Sequence, residues 1–241
     1  MRYDASVVGR FAREALSSGD GEVCATFRRS FYLRFPGERY ACVGDASLGR
    51  GPLHALVADL VLPELGASLS VSVARAAAWN PPRTTPALPS LRGMDIPSEG
   101  LGGLLVGMHN PLAVHAQPAL EALDDWLVGS ALRREAEGLI GLGPGLTPSG
   151  DDYLGGMLIA LRLLGRRSQA DALWGWLEPR LRSRTSAISA AHLVAAAAGE
   201  GHEALHEALL GDPTRLGSVG HCSGWDALAG AGAVLGRKLG R

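Results

Sequence analysis

The residues best suited to chemistry lie in one glycine- and proline-rich segment, Gly141 to Asp152, which reads Gly-Leu-Gly-Pro-Gly-Leu-Thr-Pro-Ser-Gly-Asp-Asp. Glycines allow positive φ and close approach to the backbone, whereas prolines fix φ and remove N–H donors, so the segment is predicted to be a shaped loop. Apolar residues at helical spacing predict a helix over Tyr153 to Leu164, with Gly165 as its C-terminal cap. Ser149 and Asp152 have the spacing of a capping box, which predicts that the helix begins at Ser149.

A glycine-rich loop that enters a helix presents free N–H groups at the positive end of the helix dipole, which favours a phosphate or a carboxylate. Asp151 and Asp152 would repel such an anion. Either one caps the helix and the other holds a cation, or the site binds a donor-rich ligand such as an amide. An elaborate helix cap without a ligand is the competing interpretation. We predict catalytic roles for the two aspartates and ligand binding by Gly143, Gly145, Thr147, Ser149 and Gly150.

A second polar stretch, Arg184-Thr185-Ser186-Ala187-Ile188-Ser189, precedes another predicted helix. Thr185 or Ser186 would be an ordinary cap for that helix. An arginine beside hydroxyl groups at a helix start is also used to recognise phosphate or carboxylate, so Arg184 and Thr185 are candidate anion-binding residues.

A third stretch, Gly220-His221-Cys222-Ser223-Gly224-Trp225-Asp226, also precedes a predicted helix. His221 is a candidate acid or base with Asp226 as its orienting partner, and Ser223 is a candidate cap or ligand-binding residue. A capped helix with an unrelated histidine is the alternative. Since all these stretches come before helices, we expect their N-termini to converge on one pocket.

Two further patterns carry less weight. His202-Glu203-Ala204-Leu205-His206 matches the H-E-x-x-H zinc motif, but it follows glycines and begins a short helix that we expect to be exposed. It also lacks the downstream H-x-x-G-x-x-H extension, so a third ligand would have to come from His221 or an acid farther on. Cys222 is a possible nucleophile, although adjacent side chains such as His221 and Cys222 rarely face each other. No residue is predicted to be a metal ligand.

The surrounding elements indicate an α+β fold, with a β-rich N-terminal part packed beside a mostly helical C-terminal part. A short helix is predicted over residues 5–16, and alternating residues predict one long strand from Val23 to Phe35. Further strands are predicted at Tyr40 to Val43 and around Leu69 to Val73. The later helices are predicted at 118–137, 169–181, 187–198, 203–210 and 225–239. Prolines between Asn80 and Pro97 predict an extended connection, so the two regions are placed at 1–97 and 98–241.

Composition excludes several classes of protein. The chain has 241 residues, 46% of them hydrophobic, and a formal net charge of −1, which gives no indication of nucleic-acid binding. Its 3 cysteines show no C-x-x-C spacing, as expected in a reducing compartment. The N-terminus does not resemble a signal peptide, and no apolar run has the length of about 20 residues that spans a membrane. We therefore expect a cytoplasmic protein with no membrane association.

The glycine loop, the R-T-x-x-I-S stretch and the G-H-x-S-G-x-D stretch together resemble a bacterial domain-of-unknown-function family. The best-known branch of this family is the AllH-like subunit of oxamate carbamoyltransferase, which is found with FdrA-type partners. The resemblance covers nearly the whole chain and is most specific at Gly141 to Asp152. The family more usually has serine where this chain has Cys222, which argues against an essential thiol.

The resemblance implies transfer of a carbamoyl group between carbamoyl phosphate and a small amide acid such as oxamate, in purine (allantoin) breakdown. Such a reaction needs a phosphate cradle, donors for the acyl oxyanion and recognition of a carboxylate. Loop N–H groups, Ser149 and Arg184 would supply these, and Asp151 or Asp152 would hold an amide NH₂ or Mg²⁺, the only cofactor suggested. The partners implied are a small anionic substrate and either FdrA-like subunits or further copies of the chain.

Two alternatives remain open at this point. In the first, the chain is a non-catalytic assembly or ligand-sensing subunit whose glycine loop is purely structural. In the second, it is a nucleotide- or Mg²⁺-dependent phosphoryl-transfer enzyme, which the lack of a G-x-x-x-x-G-K-[ST] motif weakens.

Overall fold

The structure is a computed structural model that describes residues 2–236 of the chain. The chain divides into two compact units. The first comprises Met1–Pro82 with Glu200–Glu203, and the second comprises Arg83–Gly199 with Ala204–Arg241. The division at 82/83 lies inside the proline-rich connection, whereas the boundary predicted from sequence at 97/98 stays a prediction.

The first unit is built on a seven-stranded mixed sheet with the strand order β5-β4-β3-β2-β6-β1-β7. Its strands are β1 (Arg2–Gly9), β2 (Gly21–Phe27), β3 (Ser30–Phe35), β4 (Arg39–Gly44), β5 (His54–Val57), β6 (Ser68–Ser72) and β7 (Ala77–Trp79). β1 also pairs with β5, so that the strands from β5 to β1 form a closed circuit. Helix α1 (Arg10–Leu16) buries Ala12, Ala15 and Leu16 in the same apolar core as Phe31 and Leu33.

Two of the predicted elements in this unit are wrong. The helix predicted over residues 5–16 begins only at Arg10, because Arg2–Gly9 forms β1 and pairs with β5, β6 and β7. The long strand predicted from Val23 to Phe35 is an antiparallel hairpin, β2 and β3, in which Phe27 pairs with Ser30. In both cases strand pairing across the sheet overrides a local pattern. The strand predicted at Tyr40 to Val43 is confirmed as β4.

The second unit is mainly helical. Its α-helices are α2 (Pro111–Leu127), α3 (Ser149–Leu163), α4 (Arg167–Arg184), α5 (Ala187–Ala197), α6 (Glu203–Leu209, which begins in the first unit) and α7 (Ser223–Val234). Short 3-10 helices lie at Gly102–Val106, Arg134–Leu139 and Leu216–Ser218. The segment from Asn80 to Pro97 has no helix or strand, as its prolines predicted.

The helix that contains Pro118 differs most from its prediction. It was placed at 118–137 with Pro118 in the first turn, but α2 runs from Pro111 to Leu127 and contains Pro118 in its interior. Pro111 occupies the first turn instead, and the Asn110 side chain caps the helix by accepting from the Ala113 N–H at 2.8 Å. The end of the last predicted helix, residues 237–239, lies outside the described residues.

Helix α3 is the centre of the second unit, and the Leu154, Met157, Leu158 and Leu161 side chains are fully buried. It meets α7 through glycines on both helices. A Cβ on Gly156 would lie 1.8 Å from the Ala227 carbonyl oxygen, and one on Gly230 would lie 1.8 Å from the Tyr153 carbonyl oxygen. Because only glycine permits this approach, α3 and α7 are held at backbone contact.

The predicted α+β fold class is confirmed, since the chain is 44% helical and 16% strand, with the sheet in its N-terminal part. Among the described residues, no helix is both long enough and apolar enough to cross a membrane.

Candidate functional site

The glycine loop leads into α3, but the predicted capping box does not form. The N-cap residue is Pro148, without a side-chain cap, and Ser149 is the first helical residue. The Pro148 carbonyl accepts from the N–H groups of Asp151 (2.9 Å) and Asp152 (3.0 Å), so the backbone itself closes the first turn. The Asp152 carboxylate is therefore available for other contacts.

The loop is shaped by backbone contacts that require glycine. Gly141 has φ +74°, and a Cβ there would lie 2.1 Å from the Arg184 carbonyl oxygen. A Cβ on Gly150 would lie 2.0 Å from the Leu139 carbonyl oxygen. The loop therefore fits against the backbone on both sides, while Pro144 and Gly145 are exposed at its tip.

Several backbone donors in this loop have no acceptor within the protein. Across residues 2–236, no group accepts a hydrogen bond from the N–H groups of Gly143, Gly145, Leu146, Thr147 or Ser149. Unsatisfied N–H groups before a helix N-terminus are the usual donors for a bound anion.

Asp151 joins the loop to α5. Its carboxylate accepts from the Gly141 N–H (2.8 Å), from the Ser189 hydroxyl (2.6 Å) and from the Thr185 hydroxyl. The side chain is only 2% exposed, and burial raises its pKa while the two hydroxyls lower it. Both oxygens of Asp151 are therefore engaged, as expected of a structural latch.

Asp152 faces α7 instead. Successive residues of a helix point about 100° apart, so neighbouring aspartates meet different partners. Its Oδ2 is buried without a hydrogen-bond partner. Burial raises the pKa of Asp152 well above its usual value, and the negative charges of Asp226 and Asp151 raise it further, whereas the Ser223 and Thr147 hydroxyls lower it.

Asp226 on α7 forms a pair of carboxyl groups with Asp152, because its charge acts on that residue. Its side chain is completely buried. Its Oδ1 accepts from the N–H groups of Leu101 (2.6 Å) and Gly102 (2.8 Å), but its Oδ2 is buried without a partner. Burial raises its pKa to about 6, against the lowering effect of the Ser149 hydroxyl and of the two N–H groups.

The three polar stretches identified in the sequence lie together. Thr185 and Ser189 bind Asp151, and the Ser186 hydroxyl, which caps α5, donates to the Leu146 carbonyl at 2.6 Å. On the other side, the hydroxyls of Thr147 and Ser223 are 3.1 Å apart. The N-termini of α3, α5 and α7 thus converge on the glycine loop.

Two predicted site residues lie apart from this cluster. The Arg184 guanidinium contacts Glu137 (Nη2–Oε2 2.6 Å), so the structure does not place its charge against the aspartates. The His221 ring, on an exposed side chain, contacts Glu99 (Nε2–Oε2 3.3 Å) rather than Asp226, which instead holds the Leu101 and Gly102 amides. These backbone amides were missed by the sequence reasoning, because nothing local connects residues 101–102 with Asp226.

The two other sequence patterns, H-E-x-x-H and Cys222, have surroundings that do not favour a catalytic role. In the H-E-x-x-H segment, Glu203 forms an ion pair with Arg50 and His202 contacts the Leu48 carbonyl at 2.9 Å. This helix was predicted to be exposed, but Glu203 and His206 are buried, so that prediction is wrong. Burial and nearby carboxylates raise the pKa of the Cys222 thiol to about 11, which disfavours its action as a nucleophile.

Comparison with known proteins gave a family match that covers the glycine loop and its aspartates. Residues 139–235 match the model of the family described as oxamate carbamoyltransferase subunit AllH. The matched segment includes the glycine loop and helices α3 to α7. Neither the curated proteins nor the solved structures gave a match.

Proposed function

We propose that the second unit of this chain binds the substrates of carbamoyl transfer at the glycine loop, and the match of residues 139–235 to the family of oxamate carbamoyltransferase subunits supports this. The substrates are carbamoyl phosphate and an amide acid of the oxamate type, and the product acid is oxalurate. Asp152 and Asp226 carry the proposal, since each has a buried carboxylate oxygen without a partner beside a loop with free N–H groups.

The chemistry of the donors and acceptors orients the ligand. A phosphate or carboxylate group fits the N–H groups of Gly143, Gly145 and Leu146 and the positive end of the α3 dipole. An NH₂ group fits the unpartnered oxygens of Asp152 and Asp226, which can only accept when ionised. A ligand with an anionic end and an amide end therefore satisfies both sets of groups, whereas a simple anion would be repelled by the carboxylates.

The same arrangement supports a role in the reaction. In carbamoyl transfer the amide nitrogen of the acceptor forms a bond to the carbamoyl carbon, the bond from that carbon to the phosphate oxygen breaks, and the nitrogen loses a proton. A carboxylate of the Asp152 and Asp226 pair takes this proton, and phosphate leaves with the bonding electrons. A raised carboxyl pKa suits a group that accepts and returns a proton near neutral pH.

The family consists of subunits of a carbamoyltransferase complex, which implies partner subunits for this chain. FdrA-like proteins are the partners we propose, as the family resemblance implies. Cytoplasmic location and the allantoin pathway also remain proposals that follow from that resemblance.

Thermal unfolding of the purified chain with carbamoyl phosphate, oxamate, oxalurate and phosphate tests the binding site. A ligand at about 100 times its dissociation constant should add roughly 2.7 kcal/mol to the free energy of unfolding. We expect such a shift with carbamoyl phosphate or oxalurate, and we expect Asp152→Asn to remove it. Asp125→Asn, which changes an exposed aspartate paired with Arg133, is the matched control and should keep the shift.

A second measurement tests whether Asp152 is needed for carbamoyl transfer. In the complex reconstituted with its partner subunits, Asp152→Asn should reduce carbamoyl transfer by about 10²- to 10⁴-fold if the carboxylate accepts the proton. Unchanged transfer in this variant would contradict the proposed role. Absence of any ligand shift, together with full incorporation into the complex, would favour the alternative of a non-catalytic assembly subunit.

A further inference from the structure

A group of potential metal ligands lies at the start of α7, beside the aspartate pair. Glu99, His221 and Cys222 each offer one ligand atom, and these atoms all lie within 4.8 Å of one another. Within the described residues, this is the one group of three or more His, Cys, Asp or Glu side chains that satisfies this spacing. We propose that it binds a divalent transition-metal ion such as Zn²⁺, which goes beyond the proposed carbamoyl transfer.

The ligand types fit such an ion. Thiolate, imidazole and carboxylate are the ligands of zinc, at about 2.0 to 2.3 Å, and tetrahedral geometry places neighbouring ligand atoms roughly 3.3 to 3.8 Å apart. His221 Nε2 and Glu99 Oε2 are already 3.3 Å apart. Both side chains are largely exposed, at 76% and 67%, so small rotations can bring them to one ion.

The backbone fixes the segment of Glu99 against the segment of Cys222. Asp226 accepts hydrogen bonds from the N–H groups of Leu101 and Gly102, which attach the segment after Glu99 to the first turn of α7. Gly100, which lies between Glu99 and Leu101, has φ +75°, and a Cβ there would lie 2.9 Å from the Cys222 Cβ. The backbone therefore fixes the close approach of the two segments that carry the ligands.

The surrounding charge also favours a cation. The charges that act on the Cys222 thiol come from the carboxylates of Asp226, Glu99 and Asp152, and all are negative when ionised. A bound divalent ion would compensate them and would be bound with the thiol deprotonated. Three protein ligands leave at least one position of a tetrahedral ion for water or another ligand, as in zinc sites that take part in reactions.

Cobalt binding to the untagged, full-length chain, after removal of metals with a chelator, tests this proposal. Co²⁺ should bind with a stoichiometry of one ion per chain and should give a thiolate-to-cobalt charge-transfer band, and Zn²⁺ should displace it. Cys222→Ser should abolish the band. His221→Ala and Glu99→Gln should each weaken binding by at least about 100-fold, the upper end of the losses seen even for residues that only support a ligand.

The control variants are Cys24→Ser and His109→Ala, which change a free cysteine and an exposed histidine elsewhere and should bind as the unaltered chain does. Circular dichroism of each variant checks that a loss of binding does not reflect unfolding. A band that survives Cys222→Ser, equal binding by His221→Ala, one ion per two chains, or no binding by a folded chain would overturn the site. None of these outcomes depends on carbamoyl transfer, so failure here leaves the proposed function untouched.

Discussion

Two neighbouring regions of the site, one around Asp151 and one around Asp152 and Asp226, differ in the hydrogen bonds of their carboxylate oxygens. Around Asp151 every carboxylate oxygen accepts a hydrogen bond, from Gly141, Thr185 and Ser189. Around Asp152 and Asp226, each carboxylate keeps one buried oxygen without a partner. Asp151 and Asp152 are therefore adjacent aspartates of which only the first has partners for both of its carboxylate oxygens.

This difference is consistent with a structural role for Asp151 and with the proposed ligand-binding role for Asp152 and Asp226. Buried polar atoms in folded proteins almost always find partners, and an unpartnered one lowers stability. The Asp151 region has the pattern of a latch that positions the loop. In the Asp152 and Asp226 region each carboxylate has one buried oxygen without a partner, and under the proposed function a substrate amide would donate to these oxygens. Each of the following predictions tests that contrast.

The largest effect is expected from Asp151→Ala. The substitution leaves the Gly141 N–H and the hydroxyls of Thr185 and Ser189 without their acceptor, so we expect a loss of about 3 kcal/mol or more in the free energy of unfolding. Urea denaturation measures it. Asp151→Asn keeps an acceptor oxygen and should lose clearly less. Equal stability of the alanine variant and the unaltered chain would show that Asp151 is not a latch.

The opposite sign is expected for Asp226→Asn. The amide keeps an oxygen for the Leu101 and Gly102 N–H groups but carries no buried charge. Since the Asp226 pKa rises from 3.8 to about 6, removing the charge should stabilise the fold at pH 7 by up to about 3 kcal/mol. The comparison is with Asp125→Asn, which should change stability by less than about 0.5 kcal/mol. A destabilised Asp226→Asn chain would contradict the interpretation.

The same group predicts an unusual dependence of stability on pH. A carboxyl whose pKa is about 6 when folded and 3.8 when unfolded binds more protons in the folded state between these values, so its contribution to stability falls as pH rises through that window. The unfolding free energy of Asp226→Asn minus that of the unaltered chain should be largest above pH 6 and vanish near pH 4. A difference that does not change with pH would show that the Asp226 pKa is not raised.

The smallest effect is expected at the pair of hydroxyl groups beside Asp152. Thr147→Val removes the contact of 3.1 Å with the Ser223 hydroxyl and should lower stability by about 1 kcal/mol. A double-mutant cycle with Ser223→Ala isolates the pair, and the coupling should also be about 1 kcal/mol. Additive losses would show that the two hydroxyls do not interact in solution.

The two units also differ in how the family match covers them. Residues 139–235 match the AllH family, whereas the strands of the first unit lie outside the matched segment. The proposed substrate and metal sites are both formed by residues of the second unit. Their function can therefore be tested without assigning a role to the sheet.

Much of the helical region could be predicted from sequence, because its apolar residues recur at helical spacing and its helices begin after clear polar or glycine signals. α3, α4, α5 and α6 lie within a few residues of their predicted positions. The first unit was harder, since β1 depends on pairing with distant strands and the residues at 28–29 form a turn that the alternating pattern concealed.

Sequence by itself determined where the polar groups are, that they precede helices, and that Asp151 and Asp152 are neighbours. Only the tertiary structure decided that one aspartate meets α5 and the other α7, because a rotation of about 100° per residue turns neighbours toward different helices. It also decided that Leu101 and Gly102 hold Asp226 and that His221 contacts Glu99. Such contacts join residues more than a hundred positions apart, and local residue patterns contain no information about them.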